Sequence, residues 1–197
     1  MRQPVRTLIV SVTCLAALVA LGGCGAAGTG TKGYIDGEGV ITQVSAAHRK
    51  QVGSVDGTTL DGTKVDLASY RGKVVVVNLW WSHCPPCRLE APHLAAAARA
   101  LQPKGVVFLG IDTRDGARSM GRAYQRRFDV PYPSIFDPDG ETLLAFRGTL
   151  SPNAIPSTMV IDKQGRIAAT VLGALGSQTT LYDLVADAGG PSVKDAA

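Results

Sequence analysis

The sequence contains little charge, and that scarcity limits what the protein can bind. Charged residues make up 18% of the 197 positions and hydrophobic residues 45%, a balance typical of a globular domain rather than a disordered chain. The formal net charge is +4, and without Arg2 and Arg6 of the leader 18 basic residues face 16 acidic ones. Such a weak and scattered excess argues against a nucleic-acid-binding protein.

Cysteine is also scarce, and only two cysteines lie close together in the sequence. The four cysteines are Cys14, Cys24, Cys84 and Cys87. There is no second C-x-x-C motif, and the three histidines are His48, His83 and His93. A structural zinc site needs about four Cys or His ligands. We therefore expect no metal site in this chain.

Long hydrophobic runs are missing except near the start of the chain. Arg2 and Arg6 precede an apolar run at residues 8–21, which is too short to cross a bilayer comfortably and predicts a signal peptide over residues 1–23. The run ends in Leu-Gly-Gly-Cys, which resembles a bacterial lipobox and implies that Cys24 becomes a lipidated N-terminus. A plain signal peptide or an uncleaved anchor is the alternative. Acyl chains contribute about 0.8 kcal/mol per buried CH₂, so several would hold the protein on a membrane.

The remaining chain is organised around residues 80–87, which read WWSHCPPC. Four consecutive valines at 74–77 precede this motif and predict a buried strand, and the alanine-rich segment 91–101 that follows predicts a helix. The two cysteines therefore lie where a strand gives way to a helix N-terminus. Free backbone N–H groups and the helix dipole at such a position favour thiolate over thiol.

Predicted strands and helices alternate through the rest of the chain. An Asp-Gly turn predicts a hairpin over 58–67, and apolar runs predict further strands at 105–112, 131–137, 155–162 and 166–172. Helices are predicted at 114–129, 139–146 and 178–188, and the arginines of the first are expected to form a solvated face. This alternation predicts an α/β domain with a mixed sheet over residues 50–190. A poorly ordered tether is expected at 24–49 and a flexible tail at 191–197.

Three segments together resemble the thioredoxin superfamily. They are GKVVVVNLWWSHCPPCRLEAP at 72–92, Ile-Pro-Ser-Thr at 155–158 and IDKQGRI at 161–167. Specifically, the chain is similar to the membrane-anchored TlpA/ResA-like thiol–disulfide oxidoreductases, over about residues 50–188. The resemblance implies a thioredoxin-like fold with an N-terminal β-hairpin and a central helical insertion. It also implies a redox-active disulfide with no other cofactor.

The resemblance implies different roles for the two cysteines. Cys84, at the helix start, would attack a disulfide, and Cys87 would resolve the mixed disulfide. Pro85 and Pro86 lack an N–H, so few backbone donors can reach the Cys84 sulfur, which predicts a reducing rather than a strongly oxidising pair. A protonated His83 would act in the opposite direction by stabilising the thiolate. Alternatively, His83 only replaces the tryptophan that the family usually has there.

Glu90 is the candidate acid–base group for the thiols. Asn78 stands where thioredoxins carry a buried aspartate, and an amide cannot act as a base. Glu90 lies about one helical turn after Cys87, and the resemblance to ResA-like proteins implies a role in thiol proton handling. The alternative is a solvated glutamate that the helix dipole favours.

Ile155 and Pro156 match the cis-proline site of the superfamily, which packs against the C-x-x-C motif. The backbone of Ile155 is expected to be free to pair with an extended substrate strand. One tryptophan of the motif is expected to be partly exposed beside Cys84. The residues predicted to contact substrate are Trp81, His83, Ile155 and Pro156.

Two classes of function remain open. The first is an extracytoplasmic, membrane-anchored thiol–disulfide oxidoreductase, either a reductase for apocytochrome c cysteines or an oxidase for exported proteins. It would act on protein thiols and exchange electrons with a membrane thiol-transfer protein. The second is a thioredoxin-like copper chaperone, for which Met120 and Met159 are not obviously placed. The absence of a P-x-x-x-T-x-x-C motif makes a peroxidase less favoured than either.

Overall fold

The computed structural model describes residues 31–36, 39–150 and 153–193. Its strands are β1 (Thr31–Asp36), β2 (Gly39–Val44), β3 (Asp56–Thr58), β4 (Lys64–Asp66), β5 (Val75–Trp80), β6 (Val107–Thr113), β7 (Ser134–Asp137), β8 (Ser157–Ile161) and β9 (Ile167–Gly173). Its α-helices are α1 (Pro85–Leu101), α2 (Arg118–Phe128) and α3 (Gln178–Asp187), and 3₁₀ helices cover Leu67–Tyr70, Gln102–Lys104 and Glu141–Phe146. The predicted signal peptide, Cys24 and the last four residues lie outside the described residues.

A mixed sheet of seven strands forms the centre of the fold, in the order β1-β2-β9-β8-β5-β6-β7. The central strand β5 is buried over its whole length, as its continuous hydrophobic sequence predicts. It pairs in parallel with β6 and antiparallel with β8, and β6 pairs in parallel with β7. The predicted mixed α/β sheet is therefore confirmed.

The two faces of the sheet bury separate cores, because alternate residues of β5 point to opposite sides. Val74 and Val76 face a cluster built with α1 and α3, which contribute Leu94, Leu101 and Leu181. Val75, Val77 and Leu79 face the other cluster, which includes Phe146 and Leu67 from 3₁₀ helices. The separate hairpin of β3 and β4 lies near the far edge, where Thr59 bridges to Ile135 of β7.

The segment predicted to be a poorly ordered tether contains two strands. β1 and β2 pair antiparallel, and β2 pairs with β9 from Gly39 opposite Gly173 to Gln43 opposite Ala169. The prediction of a poorly ordered segment is therefore wrong for residues 31–36 and 39–44. Ile41 packs against the core of α1 and α3. The stabilising partner of this segment is β9, more than 100 residues later, so the local sequence carries no signal for it.

No helix among the described residues is long and apolar enough to cross a membrane.

Candidate active site

The C-x-x-C motif forms the junction between β5 and α1. Cys84 is the N-cap of α1, and Pro85 and Pro86 occupy its first two positions, where proline fits a helix without losing a hydrogen bond. The first backbone N–H group available in the helix belongs to Cys87, and it donates to Sγ of Cys84 at 3.2 Å. Cys84 thus receives one hydrogen bond from the helix start, consistent with a spacer made of two prolines.

Cys84 and Cys87 form a disulfide, with their Cα atoms 5.2 Å apart. Both residues are buried, Cys84 being 2% exposed. They pack in a small cluster with Trp80, Leu60 and Tyr124. The Tyr124 hydroxyl donates to the carbonyl of Cys87 at 2.7 Å, and its ring stacks on Trp80 with centroids 4.2 Å apart. Helix α2 is therefore attached directly to the second cysteine.

Glu90 is buried behind the disulfide, not solvated as in the alternative interpretation. It is 1% exposed; Oε1 accepts from Asn78 Nδ2 at 2.8 Å, and Oε2 accepts from the backbone N–H of Leu175 at 2.9 Å. Burial raises the pKa of Glu90 to about 8, although both hydrogen bonds act to lower it. A carboxyl with this pKa is protonated at neutral pH and can gain or lose a proton in mildly alkaline solution.

Two further buried carboxyls, those of Asp112 and Asp115, lie beside the motif at the carboxyl end of β6. Asp112, the strand neighbour of Trp80, is 0% exposed, and no donor among the described residues reaches either of its carboxyl oxygens. Burial, together with the charge of nearby Asp115 and a hydrogen bond that Asp115 can accept, raises the pKa of Asp112 to about 9. Asp112 is therefore held in its neutral form.

Asp115 connects this pair to the residue before the nucleophile. Its carboxylate accepts from the Ser82 backbone N–H at 3.1 Å and from Ser82 Oγ at 2.8 Å. Ser82 Oγ also lies 2.9 Å from Nδ1 of His83. Since the Ser82 hydroxyl proton goes to Asp115, Ser82 Oγ must accept from His83, so the proton of the imidazole sits on Nδ1. Nε2 of His83, whose side chain is 60% exposed, then carries the free lone pair of the ring.

Two further predicted site residues lie near the disulfide. Trp81 is half-buried and packs against the cluster of Cys84 and Cys87, as does Ile155, whereas Trp80 is buried. This confirms that one tryptophan of the pair is partly exposed. The Ile155–Pro156 peptide bond is cis, and Pro156 is buried. However, the Ile155 N–H donates to the carbonyl of Asn153 at 3.0 Å, so the expectation of a wholly free backbone there is wrong.

The described residues contain no group of three or more His, Cys, Asp or Glu side chains placed to hold a metal ion. His48 bonds through Nδ1 to Ser45 on the surface, far along the chain from the motif.

One known protein family matches the part of the chain that holds this site. The family model described as AhpC/TSA matches residues 49–170, which contain the C-x-x-C motif, the cis-proline and the carboxyl groups of Glu90, Asp112 and Asp115. The chain belongs to the AhpC/TSA family. The fold is thioredoxin-like, as the resemblance of the motifs implied.

Among solved structures, the chain is similar to a secreted thiol-disulfide isomerase from Corynebacterium glutamicum. The two are 30% identical with a TM-score of 0.71, covering 80% of this chain and 99% of the other. A DsbF homologue from Corynebacterium diphtheriae is 29% identical with a TM-score of 0.66, covering 81% and 94%. The thiol-disulfide oxidoreductase ResA of Bacillus cereus is 28% identical over 116 residues, 59% of this chain. This chain spans 64% of the length of that relative.

Three members of this site were not predicted from the sequence, namely Ser82, Asp112 and Asp115. One signal was available for Asp112, which ends the apolar run of the strand next to β5. Residues at the carboxyl ends of neighbouring parallel strands meet at one edge of a sheet. The position of Asp115 depends on a left-handed residue, Arg114 with φ of 67°, which turns the chain back toward the motif. A non-glycine residue in that conformation is not predictable from its type.

Proposed function

We propose that this protein is a thiol–disulfide oxidoreductase that exchanges disulfides with polypeptides through Cys84 and Cys87. The observation that carries the proposal is a disulfide at the N-cap of α1, with the Cys87 N–H directed at the sulfur of Cys84. Such a donor stabilises a thiolate at Cys84 after reduction. The names of the relatives from Corynebacterium and Bacillus support the same reaction class.

In the reducing direction, the Cys84 thiolate attacks one sulfur of a substrate disulfide. The bond between the substrate sulfurs breaks, the other substrate sulfur leaves as a thiolate and takes a proton, and a mixed disulfide forms with Cys84. Cys87 then loses its proton and attacks Cys84, which releases the second substrate thiolate. The substrate gains two electrons, and the protein ends with its own disulfide.

Glu90 is proposed as the group that handles the proton of Cys87. It lies one helical turn after that cysteine, and Asn78 and Leu175 orient both of its oxygens. A carboxyl with a pKa raised to about 8 matches the usual range of a cysteine thiol, so proton transfer between the two needs little driving force. Asn78, which the sequence excluded as a base, contributes as a donor that holds Glu90 in place.

His83 is proposed to stabilise the Cys84 thiolate as an imidazolium. The hydrogen-bond chain from Asp115 through Ser82 leaves Nε2 as the basic atom and places a carboxylate behind the ring. This chain orients His83, the residue next to Cys84, and is the observation that supports the second candidate, an oxidase for exported proteins. The single backbone donor at Cys84 supports the first, a reductase such as one for apocytochrome c, and we favour the reductase.

Substrate is proposed to contact Trp81, His83, Ile155 and Pro156. Trp81 and Ile155 flank the disulfide with partly exposed apolar surface. The carbonyl of Ile155 receives no hydrogen bond within the described residues and remains available to an N–H of an extended substrate, while its N–H does not.

The proposed location is the outer face of the cytoplasmic membrane. Two solved relatives are described as secreted, which supports an extracytoplasmic site. The lipobox-like sequence supports lipidation of Cys24. A membrane thiol-transfer protein would then exchange electrons with the Cys84–Cys87 pair. Mass spectrometry of the protein from membranes tests this; an unmodified Cys24 would contradict it.

The decisive experiment is redox titration of the purified domain in glutathione buffers, with alkylation to count free thiols. We expect a reversible two-electron couple that Cys84→Ser and Cys87→Ser each abolish. A reduction potential close to that of thioredoxin, about −270 mV, supports the reductase, and one near −120 mV supports the oxidase. Absence of any reversible disulfide would refute both. Cys87→Ser also traps substrates as mixed disulfides for identification.

A further inference from the structure

A groove lies between the start of α1 and helix α2, next to the redox motif. It encloses about 270 Å³. Ser82, His83 and Arg88 form the wall on the side of the motif, and Met120, Arg127 and Phe128 form part of the wall on the side of α2. Ser82 and His83 of this wall immediately precede Cys84 in the sequence. The backbone N–H of Arg88 donates to the Cys84 carbonyl at 3.2 Å.

Arg88 and Arg127 line the groove, and the acidic group beside its wall is Asp115, whose carboxylate lies 4.0 Å from Nδ1 of His83. None of its lining residues is acidic, and in the described part of the chain no carboxylate lies within ion-pair distance of Arg88 or Arg127. Arg88 uses only Nε, on the Ser82 carbonyl at 2.9 Å, which leaves the rest of its guanidinium available. Arg127 lies over the Phe128 ring at 5.7 Å and is exposed.

Two other arginines of α2, Arg118 and Arg122, bond to backbone carbonyls, whereas Arg126 is exposed outside the groove. Arg118 donates to the carbonyl of Thr59, and Arg122 donates to that of Leu60 at 2.9 Å. These two residues attach α2 to the β3–β4 hairpin, so the expectation of a fully solvated arginine face is wrong for them. Arg127, by contrast, faces the groove with its charge unpaired.

The apolar side chains on the α2 side form the floor of the groove. Met120 and Phe128 are half-buried there, and Tyr124 is buried beneath them. A floor of this kind with guanidinium groups at the rim is complementary to a side chain with a short aliphatic stem and a carboxylate end.

We propose that this groove binds an acidic side chain of the polypeptide substrate, next in sequence to the cysteine that exchanges with Cys84. The proposal rests on the proposed thiol–disulfide exchange and names its substrate class: cysteines flanked by glutamate or aspartate. Arg127 is the specificity-determining residue, and Arg88 contributes the second cation.

The test uses two peptides of identical sequence except for one glutamate or lysine beside a single cysteine, each activated as a 2-pyridyl disulfide. The reduced protein attacks the peptide sulfur and releases 2-thiopyridone, which is followed by its absorbance. Cys87 then displaces the peptide as a free thiol, so each turnover converts one dithiol to one disulfide. The ratio of the two second-order rate constants measures the charge preference.

We expect the wild-type protein to react roughly fivefold faster with the glutamate peptide at low salt, since exposed ion pairs contribute about 1 kcal/mol or less. The preference should fall as salt rises. Arg127→Glu should abolish or invert it. Arg126→Glu is the matched control, because Arg126 is exposed, lies on the same helix and does not line the groove. It makes the same change in net charge and should keep the preference.

The outcomes separate the two proposals. Equal rates for both peptides in the wild type, or equal loss of preference in the Arg126 and Arg127 variants, would refute the groove while leaving thiol–disulfide exchange intact. A failure of the reduced protein to react with either peptide would refute both.

Discussion

Two buried carboxyl groups flank the disulfide, and their surroundings differ. Glu90 lies behind Cys87 and has one donor for each oxygen, from Asn78 and Leu175. Asp112 lies opposite Trp80 on β6 and has no donor among the described residues, with a second carboxyl, Asp115, nearby. Burial raises both pKa values, to about 8 for Glu90 and about 9 for Asp112, although aspartate is ordinarily the stronger acid.

The difference shows what a donor does for a buried acid. Hydrogen bonds to the charged form partly offset the loss of solvent around Glu90, so this group can ionise in mildly alkaline solution. Asp112 lacks that compensation, and the charge of Asp115 opposes its ionisation. We infer that Glu90 is suited to exchange protons, whereas Asp112 is a neutral residue whose burial limits stability at high pH.

Asp112→Asn should give the largest change in stability. The folded-state pKa of about 9 lies above the unfolded value of 3.8, so the stabilising contribution of the proton is complete below about pH 4 and lost as pH rises toward 9. Asparagine does not ionise, so the variant avoids this loss of stability. The oxidised variant should be more stable than wild type by several kcal/mol, on the order of 3 to 6, at pH 8, and similar to it at pH 4. Denaturant unfolding at both pH values measures this.

Asp139→Asn is the control for that prediction, because Asp139 is exposed. It should leave the pH dependence of unfolding unchanged. If Asp112→Asn loses stability between pH 4 and 8 as steeply as wild type, the uncompensated burial of Asp112 is not the cause.

Glu90→Gln should change stability in the same direction by less. The folded-state pKa of about 8 lies above the unfolded value of 4.5, so wild type loses the contribution of this proton as pH rises through 8. Glutamine avoids that loss but turns an NH₂ group toward Asn78 or Leu175, which leaves one buried group unsatisfied. The net gain at pH 9 should be about 2 kcal/mol.

Exchange kinetics separate a role for Glu90 in proton transfer from a structural one. The pH profile of the thiol–disulfide exchange rate should show an ionisation near pH 8 in wild type that is absent in Glu90→Gln. Glu141→Gln, a change on the surface, should keep this ionisation. An unaltered pH profile would reject the proton-transfer role even if stability changes as expected.

Asp115→Asn should weaken the thiolate of Cys84 modestly. The change removes the carboxylate that fixes Ser82 and orients His83, so the imidazole is held less firmly next to Cys84 and the pKa of Cys84 should rise by about half a unit to one unit. Alkylation rates of the reduced protein across pH measure this value. Ser82→Ala should have the same effect. In a His83→Ala background neither substitution should matter, and a persistent effect would show that Asp115 acts by another route.

The two sides of the site also differ in how far the sequence predicts them. Cys84, Cys87 and Glu90 lie within seven residues on one helix start, so their spacing places them together without knowledge of the sheet. The central strand and the cis-proline were predictable for similar reasons, from a continuous valine run and from a motif. These features depend on local backbone geometry and on hydrophobic pattern.

Features that depend on pairing of distant segments were not predictable in this way. Asp112 meets Trp80 because β5 and β6 are parallel neighbours, and Asp115 reaches Ser82 through a left-handed turn at Arg114. β2 is stabilised by β9, although its own sequence has no clear periodicity. In each case the stabilising partner is remote in sequence, so local propensity says little.

Tyr124→Phe should give the smallest change, and it tests whether the two sides are independent. The hydroxyl donates to the Cys87 carbonyl, and burial raises the pKa of Tyr124, with Glu90 and Asp112 adding to the rise. Losing this hydrogen bond while keeping the ring on Trp80 should cost about 1 kcal/mol at every pH. Because a neutral phenol contributes no titration below pH 9, the variant should unfold with the same pH dependence as wild type. A changed slope between pH 4 and 9 would show that Tyr124 couples Glu90 to Asp112, and the two carboxyls would then have to be treated as one titrating system.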